Sequence, residues 1–172
     1  DRDGTIIFDR GYLKAADEVC LLAGAGAALA AIQERGFALV LISNQSGIGR
    51  GLITPQQAEE VHETIVAQLR EYGVRLEAAC YCPHTPDEKC RCRKPSPEMI
   101  VRAARDLHLD RRRSFMIGDK ACDIEAGQRA GCRTILFVNR AVPAFAEPRP
   151  DLVAQNWNEV LGHILGTGGI SA

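Results

Sequence analysis

Residues 37–44, Phe-Ala-Leu-Val-Leu-Ile-Ser-Asn, place a continuous apolar run directly before two polar residues. An apolar run this short predicts a strand that is buried on both faces, as in a parallel sheet. Similar runs occupy 78–82, 114–117 and 134–138, with a weaker one at 151–154. The chain therefore offers several strands of the buried, parallel kind.

Amphipathic stretches with clear start and stop signals separate these runs. Thr54 followed by Pro55 and Gln57 is a typical helix start, and Gly36 and Gly73 are typical helix ends. The predicted helices are 25–35, 54–72, 96–107, 123–130 and 158–165. The alternation of strands and helices predicts an α/β fold with a mainly parallel sheet. We expect one domain over 1–165 and a flexible tail over 166–172.

Length and composition limit the classes of protein that remain. The chain has 172 residues, of which 46% are hydrophobic and 25% charged, which is typical of one globular domain. With 21 basic and 22 acidic residues it has no basic excess for binding nucleic acid. It has no apolar run of membrane-spanning length and no signal peptide. We therefore expect a cytoplasmic monomer without nucleic-acid or membrane partners.

Polar residues follow several predicted strands or precede predicted helices. This set comprises Asp1, Asp3, Ser43, Lys94, Asp119 and Asp123. Because the carboxyl ends of parallel strands meet at one edge of a sheet, we expect these side chains to lie together. Several carboxylates beside a lysine favour Mg²⁺ and a phosphate group. One carboxylate could attack phosphorus, and a second could protonate the leaving oxygen and then activate water.

Four short motifs in this set carry a family resemblance. They are Asp-x-Asp-Gly-Thr at 1–5, Ser-Asn at 43–44, Lys-Pro at 94–95 and Gly-Asp-x-x-x-Asp at 118–123. In this order they resemble the motifs of the haloacid dehalogenase (HAD) phosphatases. The resemblance implies a HAD-like Rossmannoid fold of three layers. The short connection after Thr5 leaves no room for a cap domain.

The resemblance also implies a role for each polar residue. Asp1 would be the nucleophile and Asp3 the general acid/base, while Ser43 and Lys94 would bind phosphoryl oxygens. Mg²⁺ would be held by Asp1, the Asp3 carbonyl and Asp119, with Asp123 supporting or joining them. The alternative is that these are ordinary strand-end and helix-capping residues. That alternative is strongest for Asp123, because Asp favours helix starts.

Three of the seven cysteines crowd into one stretch with a histidine, as Cys82-Pro-His84 and Cys90-Arg-Cys92. Three thiolates and one imidazole suit tetrahedral Zn²⁺, and four protein ligands close the site, as in structural zinc sites. A metal would also supply the core that this polar loop lacks. The alternatives are a disulfide or reduced surface cysteines.

The cysteine loop, followed by Arg93, Lys94 and Pro95, resembles one HAD subgroup. It contains D-glycero-D-manno-heptose 1,7-bisphosphate phosphatases and histidinol-phosphatases. Residues 9–12 and 44–51 resemble loops of the heptose enzymes, which implies removal of a heptose 7-phosphate in lipopolysaccharide-core biosynthesis. The short spacing within the cysteine loop is closer to the histidinol-phosphate enzymes, which are the alternative. The implied substrate-binding residues are Asp9, Arg10, Gly11, Tyr12, Asn44, Gln45, Ser46, Arg50, Arg93 and Lys120.

Two other functions and one missing element complete the expectations. A polynucleotide 3′-phosphatase fits poorly with the neutral charge. An inactive zinc-stabilised binding module fits poorly with the presence of both Asp1 and Asp3. A nucleophile at the end of a central strand also requires a strand before it. We therefore expect a short apolar strand upstream of Asp1 in the native protein.

Overall fold

The structure, a computed structural model, describes residues 1–138 and 148–167. Its strands are β1 Val40–Asn44, β2 Ala78–Cys82, β3 Phe115–Gly118, β4 Arg133–Phe137 and β5 Leu152–Ala154. β1 pairs with β2, and β3, β4 and β5 form a second sheet in that order. Every pairing of these strands is parallel. The predicted α/β class with parallel strands is confirmed.

Helices connect the strands, as the alternating pattern predicts. They are α1 Ala25–Glu34, α2 Ser46–Gly49, α3 Pro55–Arg70, α4 Glu98–Asp106, α5 Ala121–Ala130 and α6 Trp157–Thr167. Short 3₁₀ turns lie at Ala16–Glu18, Pro86–Glu88 and Arg111–Arg113. The short helix α2 was not predicted. Helix α6 includes the first two residues of the predicted tail, and 168–172 lie outside the described residues.

Two apolar clusters show that helices cover both faces of the strands. Successive side chains of a strand point to opposite faces. Accordingly, Leu41 belongs to a cluster with residues of α1, α3 and α6, whereas Ile42 belongs to a second cluster with residues of α4 and α5. In β3, Ile117 packs against the first cluster and Met116 belongs to the second. The result is the expected three-layer arrangement.

A cavity of about 470 Å³ lies between β1 and β3. Its lining is mainly apolar and comes from both strands and from helices α1 and α4, including Leu29, Ile42, Ala103 and Met116. Among the described strands, β1 pairs only with β2, and β3 pairs with β4. The strand expected upstream of Asp1 stays a prediction.

The first five residues form a tight loop against the end of β3. The main-chain nitrogen of Asp1 donates to the carbonyl of Ile117 at 2.7 Å. Gly4 has φ +78°, and a Cβ at this position would collide with the Asp119 carboxylate. The indole N–H of Trp157 donates to the Thr5 carbonyl at 2.9 Å and ties the loop to α6. These contacts fix the position of Asp1.

No helix within 1–138 and 148–167 combines the length and the apolar character needed to cross a membrane.

Candidate active site

Lys94 stands at the centre of the polar residues that the sequence singled out. Its ammonium lies 2.6 Å from a carboxylate oxygen of Asp1 and 2.6 Å from one of Asp123. It also donates to the Ile42 carbonyl, in β1, at 2.9 Å. Lys94 is only 3% exposed, and two carboxylates compensate the burial of its charge. Segments distant in the sequence therefore meet where the strands end, as predicted.

Asn44 fixes the main chain of Lys94. Its side-chain amide donates to the Lys94 carbonyl at 3.1 Å, and its side-chain oxygen accepts from the Lys94 N–H at 3.0 Å. Asn44 was expected to bind substrate. In the structure its amide group is engaged with the main chain that carries the lysine.

Asp1, Asp119 and Asp123 form a set of donors that fits a metal ion. Each offers a carboxylate oxygen within 4.8 Å of the others. Oδ1 of Asp119 is buried and has no hydrogen-bond partner among the described residues, which is costly for a polar atom. Burial raises the pKa of Asp119 to about 6. Hard carboxylate oxygens around an unsatisfied buried atom suit Mg²⁺.

Asp123 performs two tasks with its two oxygens. One accepts from the main-chain N–H of Lys120 at 3.0 Å, which caps the start of α5, and the other pairs with Lys94. The side chain is fully buried. A Cβ at Gly118 would collide with it, so the glycine permits the close approach. The same residue therefore caps α5 and lies beside Lys94, and its expected role at a metal stays a prediction.

The Asp3 side chain faces a polar network rather than the carboxylates of Asp1, Asp119 and Asp123. The expected role of its main-chain carbonyl as a Mg²⁺ ligand stays a prediction. Arg2 donates to both oxygens of its carboxylate, at 3.0 Å each, and Gln45 donates to one of them at 2.8 Å. Gln45 also donates to the buried hydroxyl of Ser43 at 2.8 Å. Sequence reasoning missed Arg2 altogether. The available signal was its position between Asp1 and Asp3, two aspartates expected to lie at the edge of the sheet.

The two expected substrate loops meet at the rim of this site. Lys120 donates to a carboxylate oxygen of Asp9 at 3.0 Å, and the Gly11 N–H donates to the other at 2.8 Å. Burial would raise the pKa of Asp9, but these hydrogen bonds outweigh it and lower the pKa below its ordinary value. The Tyr12 ring lies so close to Gly47 in α2 that a Cβ there would be 2.7 Å from it.

The remaining residues expected to bind substrate lie around the same rim or beside it. Arg10 and Arg50 are exposed, whereas Ser46 and Arg93 are half-buried. Arg93 donates to the carbonyl of His84 at 3.2 Å. One guanidinium is therefore already engaged with the cysteine loop, and two are presented to solvent.

Cys82, His84, Cys90 and Cys92 come together as the sequence predicts. The three sulfur–sulfur distances are 3.2, 3.5 and 3.6 Å, and the His84 Nδ1 lies 3.6 and 3.3 Å from the sulfurs of Cys82 and Cys92. A disulfide would need about 2.05 Å, so all three cysteines are free thiols. A regular zinc tetrahedron with Zn–S bonds of about 2.3 Å separates its sulfurs by about 3.8 Å. The cluster is close to that geometry.

The cysteine loop also contacts the segment after β1. The N–H of Gly49 donates to the Pro83 carbonyl at 2.9 Å, and a Cβ at Gly49 would lie 2.7 Å from that oxygen. The N–H of Gln45 donates to the Cys82 carbonyl at 2.7 Å. The loop is thus joined to α2 and runs on through Arg93 to Lys94.

Two carboxylates lie beside a buried lysine where the strands end. Together with the parallel α/β fold, this arrangement is the one that the resemblance to HAD phosphatases implies. A family model described as HAD-hydrolase-like matches residues 91–160. This segment contains the lysine motif and the last two aspartates. The expected superfamily is confirmed.

Comparison with known proteins shows which HAD phosphatases this chain is similar to. The chain is 39% identical to the D-glycero-beta-D-manno-heptose-1,7-bisphosphate 7-phosphatase of Haemophilus ducreyi, over 95% of each chain. It is 41% identical to the corresponding enzyme of Chlorobaculum tepidum, over 96% of this chain and 92% of the relative. The chain belongs to this family of HAD phosphatases and is a phosphoric monoester hydrolase.

A solved structure of the same family superposes closely. The D,D-heptose 1,7-bisphosphate phosphatase from B. bronchiseptica, complexed with magnesium and phosphate, has a TM-score of 0.85 and 29% identity, with 96% of each chain covered. The fold expected from the motifs is confirmed.

Proposed function

We propose that this chain hydrolyses the 7-phosphate of D-glycero-D-manno-heptose 1,7-bisphosphate through an aspartyl-phosphate on Asp1. The observation that carries the proposal is the buried group of Asp1, Lys94 and Asp123 beside the unpaired Asp119 oxygen. The substrate comes from the relatives, which are named for it. Such a reaction belongs to ADP-heptose and lipopolysaccharide-core biosynthesis.

Two steps follow from the geometry. The Asp1 carboxylate attacks phosphorus, the bond from phosphorus to the sugar oxygen breaks, and Asp3 gives that oxygen a proton. Water then attacks the phosphorus of the aspartyl-phosphate and gives its proton to Asp3. Inorganic phosphate leaves and the Asp1 carboxylate is restored. Lys94, already beside Asp1, compensates charge on the phosphoryl oxygens in both steps.

A magnesium ion fits the oxygens of Asp1, Asp119 and Asp123. When bound, it supplies positive charge that reduces repulsion between the nucleophile and the phosphoryl oxygens. Asp119 supports this assignment, because it is largely buried and its Oδ1 has no hydrogen-bond partner within the described parts of the chain. A cation would bind that oxygen and compensate the buried charge. We propose that Mg²⁺ is required for activity.

We also propose a structural Zn²⁺ at the cysteine cluster. Support comes from the donor set, three sulfurs and one imidazole, and from distances close to those of a zinc tetrahedron. Four protein ligands leave no open position for substrate. Zinc would hold the loop that leads into Lys94.

Spare cations at the rim support a substrate with two phosphates. Lys94 would bind the phosphate that reacts, because it lies beside Asp1. Arg50 and Lys120 are exposed and are not needed for that phosphate. Arg93 is half-buried between the cysteine loop and Lys94. We propose that this group holds the second, non-reacting phosphate, because guanidinium forks bind phosphate in a bidentate manner.

A substrate panel tests the proposal. Protein that keeps its zinc and is freed of Mg²⁺ by gel filtration is given heptose 1,7-bisphosphate, histidinol phosphate and a 3′-phosphorylated oligonucleotide, with and without added Mg²⁺, and phosphate release is measured. We expect the highest kcat/KM with the heptose bisphosphate and no turnover without Mg²⁺. Faster hydrolysis of histidinol phosphate would replace the proposed substrate by the alternative. Release from none of the three would leave the inactive binding module as the better description.

The expected cytoplasmic location and monomeric state stay predictions. Sedimentation equilibrium over a range of concentrations measures the second.

A further inference from the structure

Arg2 lies between the two catalytic aspartates and is only 1% exposed. Burying a guanidinium costs several kcal/mol unless its donors are paired. Nε and Nη2 of Arg2 donate to the two oxygens of Asp3, at 3.0 Å each, which is the bidentate fork that arginine forms with a carboxylate. The position of Arg2 is therefore defined by Asp3.

Gln45 completes the arrangement. Its side-chain oxygen accepts from Arg2 at 2.8 Å, and its amide donates to Oδ2 of Asp3 at 2.8 Å. The Arg2 guanidinium also lies over the ring of Tyr81, with its carbon 6.0 Å from the ring centre. The Tyr81 hydroxyl pairs with His62 at 2.8 Å, which fixes the ring. These contacts hold the Asp3 carboxylate in one orientation.

The two oxygens of Asp3 are engaged unequally. Oδ2 accepts from both Arg2 and Gln45, whereas Oδ1 accepts only from Arg2 among the described residues. A carboxylate oxygen has about two lone-pair sites, so Oδ1 keeps one free. The Asp3 side chain is 14% exposed, so part of it reaches solvent. Oδ1 is thus the oxygen left for a further partner.

We propose that Arg2, together with Gln45, is a positioning residue that directs Oδ1 of Asp3 toward the leaving oxygen of the substrate. This inference rests on the proposed phosphatase function. Proton transfer requires the carboxyl group within hydrogen-bond reach of the reacting oxygen, so a rotation of Asp3 slows the step without removing any reacting group.

The leaving group provides a readout that a purely structural role would not move. A sugar alkoxide needs a proton to leave, whereas 4-nitrophenolate is stable as an anion in neutral water. Loss of Asp3 positioning therefore slows cleavage of the sugar phosphate and spares cleavage of 4-nitrophenyl phosphate. General damage to the site slows both. Because kcat/KM reports on steps up to the first irreversible one, it isolates the cleavage from hydrolysis of the aspartyl-phosphate.

The experiment measures kcat/KM with the sugar phosphate that the wild type hydrolyses best and with 4-nitrophenyl phosphate. Arg2→Met should lose about 100-fold with the sugar phosphate and less than about 5-fold with the aryl phosphate. Arg2→Lys, which keeps the charge but not the fork, should recover part of the loss. Arg112→Met, the same substitution at an exposed arginine outside the site, is the matched control and should stay near wild type with both substrates.

Each outcome decides the inference. Equal losses of Arg2→Met with both substrates would overturn it. If Arg2→Met does not fold, Arg2→Lys and Gln45→Met decide, because both should show a smaller loss with the same selectivity. Asp3→Asn shows separately whether the acid itself matters. A wild type without phosphatase activity contradicts the proposed function, whereas an active wild type with selective Asp3→Asn and unselective Arg2 variants contradicts only the positioning role.

Discussion

The carboxylate site around Lys94 and the cysteine cluster are both groups of side chains that could hold a metal ion, but they are built in opposite ways. Asp1, Lys94 and Asp123 come from distant parts of the chain and are held by buried ion pairs. The cysteine cluster comes from a single stretch, 82–92, whose ligands are half-buried apart from Cys82. One site is organised by the fold, and the other would be organised by its metal.

The difference follows from what each site must do. A reacting centre needs groups of opposite charge placed accurately, and a sheet edge where several strand ends meet provides that rigidity. A structural metal needs only a short loop with the correct ligands. The two sites meet in the sequence Cys92-Arg93-Lys94. The comparison predicts that a substitution among the carboxylates leaves the cysteine cluster intact. A substitution in the cysteine cluster should lower stability and, through Lys94, also lower activity.

The largest effect is expected from Asp1→Asn, which removes the proposed nucleophile and leaves the cysteine cluster intact. Turnover should fall by about 10³-fold or more, because an amide does not replace a carboxylate in attack on phosphorus. Phosphate release measures activity, and elemental analysis measures bound zinc, which should not change. The exposed Asp17→Asn is the matched control. Wild-type turnover by Asp1→Asn would refute the nucleophile assignment.

The second largest effect is expected from Cys92→Ser, which damages the loop and leaves the carboxylates in place. Loss of zinc should lower the Tm by about 10 °C or more. Because the loop runs into Lys94, kcat/KM should also fall by about 10–100-fold. Calorimetry and phosphate release measure the two effects.

Cys20→Ser is the control for the cysteine substitution, since Cys20 is exposed and lies outside the cluster. A Cys92→Ser protein that keeps its zinc and its Tm would show that the cluster does not hold the loop. A protein that loses zinc but keeps full activity would show that Lys94 is placed without it.

The sequence predicted most of the site because its signals are local. Ser43 and Asn44 were identified because they directly follow an apolar run that predicts a buried strand. The cysteine cluster was identified from the spacing of its cysteines and histidine. The parallel sheet then implied that the strand ends meet. The structure confirms that Asp1, Lys94 and Asp123 are neighbours.

The sequence could not show which hydrogen-bond partner each polar side chain has. Asn44 and Gln45 have the same kinds of donors and acceptors, yet Asn44 fixes the main chain of Lys94 and Gln45 fixes Asp3. The two residues lie where β1 ends at Asn44 and before α2 starts at Ser46, so neither has a helical or strand period that would predict where its side chain points. Arg2 was missed for the same reason, because its burial follows from tertiary packing.

A smaller effect is expected at the rim, from Lys120→Met. Lys120 is exposed and pairs with Asp9 at the surface. Ion pairs at such exposed positions contribute at most about 1 kcal/mol, and we expect the same of a contact between Lys120 and the second phosphate. The KM for a bisphosphate should therefore rise by about threefold to fivefold, with kcat nearly unchanged. A monophosphate lacking the second phosphate should show little change. Steady-state kinetics with both substrates measure the split, and the exposed Arg112→Met is the control. A fall in kcat without a change in KM would place Lys120 in the chemistry instead.

The smallest effect is expected on stability, from Asp119→Asn without metal. Burial raises the pKa of Asp119 to about 6, above an unfolded value of about 3.9. Between these values the folded protein holds a proton that the unfolded chain has released, so stability falls as pH rises through this window. Above about pH 6 the buried charge carries its full cost. The neutral asparagine avoids that cost, so in Mg²⁺-free buffer without a chelator the variant should gain on the order of 2–4 °C in Tm at pH 8.

The pH dependence and the response to Mg²⁺ test the cause of that gain. The difference in Tm should shrink toward zero as the pH is lowered to about 4, where Asp119 is protonated in the folded protein. Mg²⁺ at pH 8 should raise the Tm of the wild type more than that of the variant, because binding to the folded state stabilises it. The exposed Asp106→Asn should show neither effect. A variant that is less stable than the wild type at pH 8 without Mg²⁺ would contradict this prediction. It would mean that neighbouring groups stabilise the Asp119 charge. The site would then be organised by its ion pairs without any need for a metal.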